Sequence, residues 1–143
     1  PTISCNRRLG LIFTLSVCYN SRMETKIFPC TEEGLLATQA FMESVCPSPK
    51  PMIVLDEVVS NIVRCSGAKS FEMGLDQTPE GLTMVFSDDG KPFDPTREAV
   101  TPDVSAALED RGVGGLGIFM VKKMSKSVTY RREGEKNILT VLM

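Results

Sequence analysis

The chain has 143 residues, room for one domain with a real core, and its balance of 42% hydrophobic and 24% charged residues is that of a soluble globular protein. A net charge of −2 offers no general attraction to nucleic acid or to an anionic membrane, so any anion binding must be local. Five irregularly spaced cysteines without a C-x-x-C argue against zinc and suit a reducing cytoplasm, and the lack of any histidine excludes imidazole triads and phosphohistidine chemistry on these residues.

In chain order, "RRLGLIFTLSVCY" (7–19) has a basic start and an apolar run too short to span a membrane. No A-x-A-like cleavage site follows it. We read residues 1–22 as an N-terminal extension and 23–143 as the domain proper. "METKIFPC" reads as a short strand. Thr31 then caps a helix, "TEEGLLATQAFMESVC", with glutamates in its first turn and Leu35, Leu36, Ala40 and Phe41 as its apolar residues. "PSPKP" (47–51) stops it. A second helix is expected from about Met52 to Ser66, with Met52, Leu55, Val59, Ile62 and Val63 on one stripe and Gly67 at its end. "KSFEMGLDQ" and "GLTMVFSD" are strand-like runs joined by the turn "TPEG". Residues 93–113 lack periodicity and read as a long surface loop, with a short helix at "SAALED"; loops of this length are usually functional or disordered. "GGLGIFMVKKM" opens a third helix, and "SVTYRRE" with "NILTVLM" closes the chain as a hairpin. The order β-α-α-β-β-loop-α-β-β predicts an α/β two-layer sandwich, with a mixed, mostly antiparallel sheet and helices on one face.

Three segments can carry chemistry. "GVGGLG" (112–117) fits G-x-G-x-x-G, yet no strand precedes it, no "HRD" follows it, and it lacks the Gly-Lys-Ser/Thr of a Walker loop. Its physical content is a close-approach backbone and a helix N-terminus at Leu116, which together make a phosphate site; taken alone, they equally make a glycine hinge. On the second helix, Glu57 and Asn61 stand four apart on one face. A glutamate can act as a base, and an asparagine oxygen can serve Mg²⁺, which takes few protein ligands; the same pair also suits a solvated polar face. In "FSDDGKPFDP" (86–95), Asp88 ends an apolar strand and Gly90 allows a sharp turn. Such an aspartate can accept a hydrogen bond from an exocyclic amine such as that of adenine. The stretch lacks the order of an EF-hand loop.

The fixed order of Glu-x-x-x-Asn on a helix, Asp-x-Gly after a strand and a Gly-x-Gly helix start resembles the GHKL ATPases, whose members share the Bergerat ATP-binding fold. The wording of "LDEVVSNIV", "DDGKPFDP", "GGLGIFMVKKM" and "YRREGEKNILTVLM" is similar to one branch, the bacterial anti-sigma-factor serine kinases, over about residues 23–143. The resemblance implies ATP and Mg²⁺ as cofactors. It implies Glu57 as the general base, Asn61 as the magnesium ligand and Asp88 as the adenine contact, with Gly90 and Pro92 shaping that turn. Residues 94–113 would be the ATP lid. Gly115, Leu116 and Gly117 would cradle phosphates, and Thr140 would back up Asp88. Implied partners are a STAS-domain antagonist, whose serine is phosphorylated, and a sigma factor, with a homodimer as the assembly. Two other readings are a non-catalytic ATP-binding module and a histidine-kinase-like domain acting in trans. Two departures from the branch are Cys65, where histidine is frequent, and Ser125-Lys126, where an acidic residue is common.

Overall fold

A computed structural model describes residues 22–97 and 116–143. Eight elements follow in chain order: β1 (Glu24–Pro29), α1 (Glu32–Val45), α2 (Pro49–Cys65), β2 (Ser70–Thr78), β3 (Gly81–Asp88), α3 (Leu116–Met124), β4 (Ser127–Glu133) and β5 (Lys136–Leu142). The five strands form one antiparallel sheet in the order β1-β2-β3-β5-β4. The expected element order and the two-layer architecture both hold. The sequence-predicted helix at "SAALED" and residues 1–21 lie outside the described residues. Among the described residues, no helix is long and apolar enough to cross a membrane.

The strands alternate faces. Leu82, Met84 and Phe86 of β3 point to the helices and are buried, and so do Phe71, Met73 and Leu75 of β2. Against them pack Phe41 and Met42 of α1, Val54, Leu55, Val58 and Val59 of α2, and Val121 of α3. Burial of this kind is the main favourable term in folding, worth about 25 cal/mol per Å² of apolar surface.

Both long helices differ in detail from the periodicity reading. In α1, Gly34, Thr38, Phe41 and Met42 face the sheet, while Leu36 is 64% exposed and Ala40 is also outward. The small residues Gly34 and Thr38 let the helix lie close to the sheet, and the Thr38 hydroxyl is satisfied by donating to the Leu35 carbonyl at 2.7 Å. Thr31 caps the helix as expected, accepting from the Gly34 N–H at 3.2 Å. Helix α2 begins at Pro49, not near Met52, because proline is well placed in a first helical turn, where its missing N–H has no intrahelical partner to lose. Its buried face is Pro51, Val54, Leu55, Val58 and Val59, with Met52, Ile62 and Val63 only partly covered. The break between α1 and α2 is thus only three residues, and the two helices lie side by side, joined by Gln39 Nε2 donating to Asp56 Oδ1 at 2.8 Å.

Candidate functional site

Where α2, α3 and the end of the sheet meet, an open cleft of about 410 Å³ including its mouth lies between the layers. Its floor is apolar, from Val58, Ile62, Phe86 and Leu139, and its polar groups include Asn61, Asp88 and Asn137. Both polar residues expected to contact a nucleotide at opposite ends, Asn61 and Asp88, therefore open on the same space.

Asp88 closes β3 and is only 8% exposed. A buried carboxylate must be hydrogen-bonded. Its Oδ1 accepts from the Gly90 N–H at 2.9 Å and from Asn137 Nδ2 at 3.1 Å. Both bonds fall on one oxygen, which leaves the acceptor capacity of Oδ2 for a ligand in the cleft. The turn after Asp88 is pressed against the end of α2. Lys91 N–H donates to the Ser66 carbonyl at 2.8 Å, and a methyl group at Gly90 would stand 2.2 Å from that same oxygen. Beneath the turn, burial and then the charge of Asp88 push the Cys30 thiol above its ordinary pKa, with Asp89 adding to the rise and a hydrogen bond with Ser66 opposing it. A neutral thiol is the form that tolerates a neighbouring carboxylate.

The three aspartates of "FSDDGKPFDP" separate cleanly. Asp89 is exposed. Asp94 is spent on its own turn: its Oδ1 accepts from the Thr96 N–H at 2.9 Å and from the Thr96 hydroxyl at 2.6 Å. Pro92 is exposed, Phe93 is half-buried against the cleft and Pro95 is buried, so "PFDP" is a packed entrance to the long loop. Lys122 of α3 holds that entrance by donating to the Thr96 carbonyl. Beyond residue 97 the expected lid, and Gly115 with it, lies outside the described residues.

Glu57 and Asn61 are both half-buried on α2. Asn61 Oδ1 accepts from Arg64 Nη2 at 3.2 Å on the exposed side of the helix. Leu116 is the first residue of α3, and Gly117 follows it. Gly117 lies directly on Glu57: a methyl group there would stand 2.0 Å from Glu57 Oε2. The first turn of a helix has N–H groups without an intrahelical partner and the positive end of the helix dipole, and Leu116 and Gly117 stand there in α3. The geometry therefore places a carboxylate beside an anion-attracting helix start. Among the described residues, no three His, Cys, Asp or Glu side chains gather as a metal cluster. The Asn61 amide oxygen at the cleft is the kind of donor that fits magnesium held mainly by phosphate and water.

Thr140 is a correction. It pairs with Val85 and Thr129, on the face of the sheet opposite Asp88. The strand period of two sends residues 137, 139 and 141 to the helix side and 140 away from it. The residue opposite Asp88 is Asn137. It was missed, as were Tyr130 and Arg132, which touch it: Tyr130 OH donates to Asn137 Oδ1 at 2.7 Å and Arg132 Nη1 at 2.8 Å. The tight turn between Glu133 and Lys136 carried the signal, since it fixes the register that sets Arg132 across from Asn137.

Residues 50–143 match the family described as the histidine kinase-like ATPase domain. The chain is 26% identical over 87 residues to the serine/threonine-protein kinase BtrW of Bordetella bronchiseptica, covering 61% of this chain and 61% of that relative. It also superposes on the Acinetobacter baumannii histidine kinase AdeS with TM-score 0.48 and 17% identity, covering 84% of this chain and 66% of that one. The chain thus spans about three fifths of the curated relative and two thirds of the solved one.

Proposed function

The chain belongs to the histidine kinase-like ATPase domain family, of the GHKL superfamily, and from that premise we propose that it is an ATP-dependent serine/threonine-protein kinase of the anti-sigma-factor type. Its substrate is a serine on a small STAS-type antagonist protein, and it sequesters a sigma factor, as a homodimer in the cytoplasm. The domain is residues 23–143.

The observation that carries the reading is the Glu57 carboxylate lodged against the first turn of α3 at Gly117. Phosphoryl transfer needs positioning and charge neutralisation more than covalent chemistry. Asp88 accepts from the adenine amine, which fixes the nucleotide at the sheet end of the cleft. The start of α3 at Leu116 and Gly117 holds phosphate oxygens by its N–H groups. Glu57 takes the proton from the incoming serine hydroxyl. Asn61 would hold Mg²⁺, which would supply neutralisation of phosphate charge. The relative BtrW, named a serine/threonine-protein kinase, supports the choice of hydroxyl acceptor.

The test uses the purified chain, ATP, Mg²⁺ and a STAS-domain partner. Glu57→Ala should lower phosphate transfer by roughly 100-fold or more while ATP affinity stays within about threefold. Equal transfer by mutant and parent would remove Glu57 as the base. Tight ATP binding with no transfer by the parent would make the chain a sequestering module.

A further inference from the structure

Asn137 is the most heavily bonded side chain among the described residues, and it is 6% exposed. Its Nδ2 uses both hydrogens, one to Asp88 Oδ1 at 3.1 Å and one to the Lys91 carbonyl at 2.8 Å. Its Oδ1 accepts from Tyr130 OH at 2.7 Å, from Arg132 Nη1 at 2.8 Å and, more weakly, from the Phe93 N–H at 3.4 Å. The amide can take only this orientation. A flip would set its N–H₂ against a guanidinium that can only donate, and its oxygen against a carboxylate and a carbonyl that can only accept. Arg132 Nη1 also donates to the Gly90 carbonyl at 3.0 Å, so the same network grips the turn from a second side.

The consequence falls on Asp88. Its carboxylate can rotate about the terminal torsion, which is broad for this side chain. One donor, the Gly90 N–H, comes from its own turn and moves with it. The other comes from a different strand, β5, through an amide whose direction is set by β4. That second donor ties Oδ1 down and leaves Oδ2, on a residue that lines the cleft, for a ligand. We propose that Asn137, oriented by Tyr130 and Arg132, is the positioning residue that sets nucleobase selectivity, by fixing the Asp88 carboxylate in the direction that accepts from an exocyclic amine. The inference rests on reading the cleft as the ATP site.

The experiment measures equilibrium binding of ATP and of purine riboside triphosphate, which lacks the 6-amino group. The parent chain should prefer ATP by about tenfold or more, the order expected for one hydrogen bond to a charged acceptor. Asn137→Asp keeps the size and the acceptor oxygen but turns the donor edge into an acceptor facing Asp88. It should lower ATP affinity about tenfold or more, change the amine-free nucleotide by less than about threefold, and reduce the preference below about threefold. Tyr130→Phe keeps the ring and removes only the hydroxyl that orients the amide. It should lower ATP affinity about threefold, again selectively, and it carries the test if Asn137→Asp does not fold. Losses that are equal for the two nucleotides would mean that Asn137 only holds the fold, and would overturn the inference. No loss for either would overturn it too. A parent chain that binds neither nucleotide would instead remove the ATP-site reading itself, a failure visible before any variant is made.

Discussion

Asp88, Asp89 and Asp94 lie within seven residues and do three different things. Asp88 is buried and accepts two hydrogen bonds on one oxygen. Asp94 saturates a local turn, and Asp89 meets solvent. Asp88→Asn retains an oxygen for Gly90 and Asn137 but turns a donor toward any base amine. ATP affinity should fall about tenfold to a hundredfold, whereas Asp89→Asn should leave it within about twofold. Isothermal titration of both variants checks this; similar losses would place the base contact elsewhere. At this scale the sequence was partly legible. Asp88 and Gly90 drew notice because an aspartate at a strand end with a glycine two residues later marks a sharp turn, and that turn is present. Asn137 was not, because its role depends on which residue of β3 it faces, and only the pairing register decides that. Thr140 was misplaced for the same reason, since an odd offset along a strand changes the face.

Elements bring the catalytic half of the site together. Helix α2 supplies Glu57 and Asn61 on adjacent turns, and α3 is laid against it at Gly117. The tight contact is with the far end of a flexible glutamate, so a methyl group at 117 can be admitted if the carboxylate swings away. Alanine also favours a helix over glycine by about 1 kcal/mol. Gly117→Ala should therefore leave the thermal midpoint unchanged or raised while phosphate transfer drops about tenfold or more, a split seen by pairing thermal unfolding with a transfer assay. A falling midpoint with intact transfer would show that Glu57 need not stay where it is. Element existence was legible from periodicity for all eight elements. Helix phase was less so, because a helix rich in apolar residues offers more than one stripe. The sheet selected the closer-packing one, with Gly34 and Thr38 inward in α1 and Val54 and Val58 inward in α2.

Across the whole molecule, the layers meet around an apolar core, and the cleft opens where α2, α3 and the ends of β3, β5 and β4 converge. A ligand held there touches both layers and binds only the folded chain. At 100 times its dissociation constant it should stabilise the fold by about 2.7 kcal/mol, a rise of about 10 °C in the unfolding midpoint for a domain of this size. Thermal scans with ATP and Mg²⁺ at that concentration should show the rise in the parent and in Glu57→Ala, and about half of it or less in Asp88→Asn. No rise in the parent at saturating ATP would contradict the site.

The contact between Gly90 and the Ser66 carbonyl separates two letters of one motif. A side chain at position 90 would collide with backbone 2.2 Å away at the end of α2, whether or not a nucleotide is ever bound. Its glycine is thus a requirement of the architecture, while the acid at Asp88 is needed by the fold only for the oxygen that Gly90 and Asn137 share. A relative that had abandoned nucleotides could exchange the aspartate for an asparagine, which keeps that oxygen, and still be forced to keep the glycine. In any such chain, finding the glycine alone would testify to ancestry, and only the acid beside it would testify to chemistry.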